Sequence, residues 1–422
     1  MLRPSMDVNG YFLFIAITVI GFYMLDIVSS MLNLKALKPE LPAEFDDVYD
    51  AEKYAYSQAY TRETTRFGFL ESTVSLVIFL AFWWLGGFQW LDTMARSFEQ
   101  GSIVTGMIFV SLLSLGGQLL SLPFTLYDTF VIEEKYGFNK TTPKVFVSDK
   151  IKGLLVSAIL GLPLFALLLY LFQNPTFGKL AWIYAWVLTT LFQFAILFIY
   201  PKYILPLFNK FKPLRDGELK SEIEAMSKRC EFPLTGVFEI DGSKRSTKSN
   251  AYFTGFGKNK KIALFDTLIK NHTVAELVAV LAHEIGHFKK KHIVKTLILG
   301  VLQMGVIFYL LDLFIENREL FNAFGVPELS VYLSFIFFSF LLSPLSKLLG
   351  VGMALFSRKN EFEADAYAVE VTGSTSPMIT ALKKLSKDNL VNLTPHPFYV
   401  FINYSHPPMT ERIAAIESLD IP

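Results

Sequence analysis

A single cysteine, Cys230, leaves no partner for an internal disulfide and excludes any cysteine-rich zinc cluster. It reads as a buried structural thiol, because no nucleophile signature surrounds it. Charge is scarce as well. Asp, Glu, Lys and Arg make up 18% of the 422 residues, where soluble domains carry about a quarter. The formal net charge of +1 offers no basic surface for nucleic acid. The chain has no repeat and no low-complexity tract, so it is not a solenoid.

Apolar residues take the place of the missing charge. Seven long runs stand out, near 11–32, 69–91, 103–131, 151–172, 180–205, 294–315 and 328–356. Each approaches or exceeds the roughly 20 residues a helix needs to cross a bilayer. Some exceed it enough to require tilt or projection beyond the membrane. The first run lacks a basic lead and a cleavage site, so it reads as a retained span. Lys and Arg crowd the loops 33–68 and 132–150 and are sparse in the alternate ones, which puts the rich loops in the cytoplasm. The segment 206–293 and the tail 357–422 then also face the cytoplasm. Polar residues within the runs (Glu71, Gln118, Asp128, Gln193, Gln303, Asp312 and Lys347) admit two readings, span ends with helix–helix pairs or a water-filled interior.

The fold class is therefore a mainly α-helical, multi-pass membrane protein with seven transmembrane helices and a cytoplasmic α+β part. Its divisions are 1–205 (spans one to five), 206–293, 294–356 (spans six and seven) and 357–422. Within 206–293, an amphipathic helix is expected near 217–230, followed by strand-like runs at 237–241, 250–256 and 261–265. "GKNKK" before the last of these reads as a hairpin turn. Thr273-x-x-Glu276 fits a capping box and marks the start of a helix. The tail reads as helical, broken by a Pro-rich stretch at 395–408.

That helix carries "AVLAHEIGHFKKKH" (279–292). His283 and His287, four apart, share one helix face and can hold one zinc ion. Glu284 lies beside them as a base for water. A catalytic zinc needs a third protein ligand. "SRKNEFEADAYAV" (357–369) supplies carboxylates, with Glu361 and Asp365 one turn apart while Glu363 points elsewhere. Glu361 is assigned as third ligand and Asp365 as acceptor for a ligand histidine. His272 and His292 fall outside the pattern and read as surface residues. Lys289, Lys290 and Lys291 mark the headgroup end of span six.

The sequence resembles the type I CAAX prenyl endopeptidases, integral-membrane zinc metalloproteases, over nearly its whole length. The resemblance rests on "FVIEEKYGFNKTTPKVFVSDKIKG" (130–153), "RSTKSNAYFTGF" (245–256), "LAHEIGHF" (281–288), "SRKNEFEADAYA" (357–368) and "NYSHPPMTERI" (403–413). It implies seven tilted helices enclosing a chamber, with a zincin-type catalytic part and one zinc ion per chain. It implies that His283, His287 and Glu361 bind zinc and that Glu284 is the catalytic base. Asn250 would lie on an edge strand beside the substrate backbone. His406 would stabilise the oxyanion, with Arg412 assisting nearby.

The expected activity is removal of the C-terminal aaX tripeptide from prenylated CAAX proteins or peptides. The alternative is a membrane quality-control protease without a prenyl substrate; a transporter with a vestigial metal site comes third. The partners expected are a peptide or protein substrate and the lipid bilayer. The C-terminal "ESLDIP" lacks a dilysine retrieval signal, which favours a bacterial inner membrane over the endoplasmic reticulum.

Overall fold

A computed structural model describes residues 6–254 and 260–420, with the backbone alone at 252–254. Seven helices are long and apolar enough to cross a membrane: Gly10–Lys35, Ala51–Trp84, Ser102–Glu133, Pro143–Gln173, Gly178–Phe208, His292–Phe314 and Val331–Thr372. Their starts follow from local chemistry. Asn9 and Asp50 accept hydrogen bonds from the backbone N–H of Phe12 and Lys53, and Thr142 precedes Pro143 at the first helical position.

The bounds differ from the apolar runs most at the second and seventh spans, and the fourth begins at Pro143 rather than near 151. The second helix begins at Ala51, so much of the expected loop 33–68 is a helical extension of that span. It stops at Trp84; Gly86, at φ 79°, turns the chain into a separate short helix, Gly87–Arg96. The seventh helix does not end near 356 but runs unbroken from Val331 to Thr372, 42 residues in all. The run read as the start of the tail is therefore a rigid extension of span seven.

The spans form a closed ring. Each packs on the next, with the sixth following the fifth, the seventh following the sixth and the first closing on the seventh. The first also packs on the second, and the second meets the π-helical end of the third at Asp128–Glu133. One end of the ring is plugged. Phe12, Trp83, Phe88, Phe321, Phe324 and Phe337 are buried there, and Trp83 donates to the Ala323 carbonyl at 3.0 Å. Gly106 lets three spans converge on the plug, since a Cβ there would lie 2.8 Å from Leu169 and 2.9 Å from Tyr332.

The chain exposes more surface than a compact fold would. The accessible surface is 21953 Å² for a mass of 47.9 kDa. A compact monomer of that mass exposes about 16,400 Å², so roughly a third more is open here. None of the seven polar residues noted within the apolar runs is buried, and Lys347 pairs with Asp26 at 3.1 Å across the junction of spans seven and one. The Lys347–Asp26 contact is a pair between helices.

The opposite end carries a small α+β body. Its sheet is ordered β1-β2-β4-β3, from β1 (Phe211–Pro213), β2 (Leu234–Ile240), β3 (Ala251–Thr254) and β4 (Lys260–Phe265). β3 is an edge strand, antiparallel to β4, with Ala251 opposite Leu264 and Thr254 opposite Lys261. The "GKNKK" turn between them lies mostly outside the described residues. The amphipathic helix is Glu218–Arg229, and Cys230 beyond it is buried. One apolar core joins residues as distant as Phe45, Ile223, Leu281, Ala368 and Ile413. The two segments outside the spans thus fold together, with the connection between the first and second spans added.

Candidate metal centre and active site

The motif helix, Val274–Lys289, is set by its capping box. Thr273 Oγ1 accepts from the Glu276 N–H, and the Glu276 carboxylate accepts from the Thr273 N–H. The helix packs on the extension of span seven. Gly286, inside the motif, allows the contact; a Cβ there would lie 3.1 Å from the Ala364 Cα.

This approach brings His283, His287 and Glu361 together, one ligand atom from each lying within 4.8 Å of the others. The two Nε2 atoms are 3.1 Å apart, and Glu361 reaches them at 3.5 and 3.3 Å. Two imidazole nitrogens and a carboxylate oxygen converging in this way suit a divalent metal ion.

Each histidine is oriented from behind. His283 Nδ1 lies 2.8 Å from Asp365 Oδ1, so the ring donates there and leaves Nε2 free. His287 Nδ1 lies 3.0 Å from His292 Nδ1, and His292 Nε2 lies 3.1 Å from Glu363 Oε2. With His292 donating to Glu363, its Nδ1 accepts from His287, and His287 Nε2 is also left free. With both rings neutral, each arm presents an unprotonated nitrogen to the same point.

Buried His292, at 3% exposure, corrects the surface reading, and His272 is buried too. Glu363, expected to point away from the site, supports it through His292. The reason is a backbone reversal. Lys291 adopts φ 59°, ending the motif helix and starting span six with His292 folded back onto His287. Helical spacing could not reveal this.

Arg412 is in the site, bound to its carboxylates. It is 5% exposed. Its Nε and Nη2 donate to Asp365 at 2.8 and 2.6 Å, and Nη1 lies 3.3 Å from Glu361. The fork is occupied by the two carboxylates, so it holds them rather than reaching outward.

His406 comes within 3.5 Å of Glu361 Oε1 while its side chain stays 61% exposed. Its Nδ1 lies 2.9 Å from Ser405 Oγ. A Ser405 hydroxyl donating there leaves the ring proton on Nε2, the atom facing the carboxylate. Arg358, one turn before Glu361, donates to the Val400 and Tyr404 carbonyls and ties the His406 loop to the same helix. Ser405 and Arg358 had no spacing signal, since they act through a loop.

Glu284 is half-buried beside the two histidines. Burial raises its carboxyl above the usual range, with His283 and His287 pulling the other way. At His283 burial opposes the charged form, but bonds to Asp365 and Glu361 outweigh it and push the ring up to about 9. The His406 ring is lowered below its ordinary value, by desolvation on the side that faces the site rather than by burial of the whole side chain. Asn250 is exposed just before β3, and its carbonyl accepts from the Phe265 N–H at 3.1 Å. β3 itself runs against the motif helix.

Residues 30–210 match the family described as CAAX prenyl protease N-terminal, five membrane helices, and 213–420 match peptidase family M48. The chain is 37% identical to CAAX prenyl protease 1 homolog of Arabidopsis thaliana over 96% of its length and 97% of that protein. It is 36% identical to CAAX prenyl protease 1 of Saccharomyces cerevisiae, over 91% and 90% of the two chains. The crystal structure of S. mikatae Ste24p superposes with a TM-score of 0.92 at 35% identity, covering 97% of this chain and 100% of that one. The lean towards a bacterial inner membrane finds no support among these eukaryotic relatives.

Proposed function

The chain belongs to peptidase family M48, and on that premise we propose that it is a membrane zinc endopeptidase that removes the last three residues of prenylated CAAX chains. The observation that carries this reading is the convergence of His283, His287 and Glu361, with Glu284 alongside, at the end of the helix ring opposite the aromatic plug. Zinc is the assigned ion, because two imidazoles and one carboxylate are a donor set that would hold it in a catalytic site. When bound, it supplies Lewis-acid activation of a water and of the scissile carbonyl.

The remaining steps belong to the chain. Glu284 takes the proton of the attacking water and returns it to the leaving amine. Its raised proton affinity suits the first half of that cycle. His406, neutral and with its proton on Nε2, donates to the negative charge developing on the carbonyl oxygen. Asp365 and Arg412 hold His283 and Glu361 in place. The substrate backbone adds to the free edge of β3 next to Asn250, and the ring interior takes the prenyl chain. The Lys- and Arg-rich loops put this end in the cytoplasm, and the eukaryotic relatives favour the endoplasmic reticulum.

The test compares cleavage of a farnesylated CAAX peptide with its unprenylated counterpart. A strong preference for the farnesylated peptide is expected. Equal rates would replace this reading with quality control of membrane proteins.

A further inference from the structure

Two of the five sequence signatures take no part in the metal centre: 130–153 and 245–256. Roughly 100 residues apart, they dock on one another. Asn139 and Ser246 form an isolated antiparallel bridge. Lys140 N–H donates to the Arg245 carbonyl at 2.9 Å, and Thr247 N–H donates to the Phe138 carbonyl at 3.0 Å. Thr141 and Thr247 add hydroxyl bonds to the Arg245 and Gly137 carbonyls.

Side chains complete the joint. Arg245 grips Asp149, on span four, through Nε at 2.7 Å and Nη2 at 3.0 Å. The same guanidinium donates to the Phe208 carbonyl at 2.7 Å and to Asn209 Oδ1 at 3.0 Å, where span five ends. Both members of the ion pair are 23% exposed. Lys248 reaches Glu133, at the end of span three, at 2.8 Å, and the Tyr60 hydroxyl on span two at 3.0 Å. Four of the seven spans thus hold the six residues that lead into β3.

The position of this joint defines what it can do. The body's own core sets β3 relative to the motif helix, through β4. The lead-in sets β3 relative to the membrane. We propose that Arg245, backed by Lys248, is a positioning residue that registers the substrate strand to the spans and so fixes how far from a membrane-held lipid the chain is cut. This rests on the endopeptidase reading above. A strand advances about 3.3 Å per residue, so a slip of one residue moves the cut by one bond. A four-residue edge strand has little pairing of its own to resist such a slip.

Mass spectrometry of the products from a farnesylated CAAX peptide tests this in the full-length protein. Wild type is expected to yield one new C-terminus. Arg245→Ala, with zinc content retained, is expected to lose about 10- to 100-fold in kcat/KM and to yield a second product cut one residue away. The double variant Arg245→Asp with Asp149→Arg should regain the single product. One product at unchanged kcat/KM from Arg245→Ala overturns the inference. If Arg245→Ala fails to fold, Arg245→Lys, which keeps the charge and loses the fork, is read against the same outcomes. If wild type leaves the peptide uncut, the endopeptidase reading on prenyl chains fails instead. Hydrogen exchange then decides the positioning role: faster exchange at 251–254 in the variant with the motif helix unchanged supports it, and equal exchange at 251–254 overturns it.

Discussion

At the plugged end of the ring, Phe324 lies flat on Phe337, their centroids 3.9 Å apart, amid buried aromatic and aliphatic side chains. At the other end, Glu361, Asp365 and Arg412 are buried instead, each tied to another charged group or a histidine. The first end gains stability from removing apolar surface from water and from dense packing. The second places charges in a low-dielectric setting, where an unpaired partner is costly and a bound cation is welcome. The plugged end is held by packing, while the other end adds buried charge to a packed core of its own. A substitution at one end should leave the other's property intact.

The largest effect is expected for Glu361→Ala. It removes the carboxylate that completes the donor set, so bound zinc and peptide cleavage should both be lost. Unchanged zinc by elemental analysis would transfer the ligand role to another carboxylate. At the plugged end, Phe337→Ala should cost about 3–5 kcal/mol of stability through the cavity it leaves. Thermal unfolding would register the loss, while activity per folded molecule stays near wild type. A matching fall in specific activity would show that the two ends are coupled.

Smaller effects separate the two histidine arms. Asp365→Asn should weaken zinc affinity by about 10- to 100-fold, since a partner behind a ligand histidine typically contributes that much. It should also move a pH dependence. A proton and the metal compete for His283, whose pKa stands at about 9. In wild type, zinc affinity should therefore rise with pH up to that value. With Asp365 neutralised the rise should end at lower pH, and zinc titrations across pH 6 to 10 would show it. His292→Ala should weaken zinc by about 10-fold, the low end of the same range, because Glu363 behind it is 35% exposed and solvent screens it. An effect larger than that of Asp365→Asn would reverse the ranking of the arms.

What could be read from the sequence was mostly local. Seven apolar runs locate seven spans, because a helix in lipid must satisfy its own backbone. The Thr273–Glu276 box and the one-turn offset of Glu361 and Asp365 depend on spacing along a single helix, and both are present in the fold. Composition, by contrast, does not mark where a helix stops once it leaves the membrane, so the extension of span seven to Thr372 was missed. His292 was missed because its role depends on a left-handed turn at Lys291. Arg245 was hidden for a different reason, as all of its side-chain partners lie at least 36 residues away along the chain.

The central claim is that one metal centre at the end of this ring hydrolyses peptides with Glu284 as the base. Zinc analysis and cleavage of a farnesylated peptide, run on the same preparations of wild type and Glu284→Gln, test it most directly. The account predicts one zinc per chain in both proteins and cleavage by wild type alone. A Glu284→Gln protein that keeps both its zinc and its full rate of cleavage would contradict it.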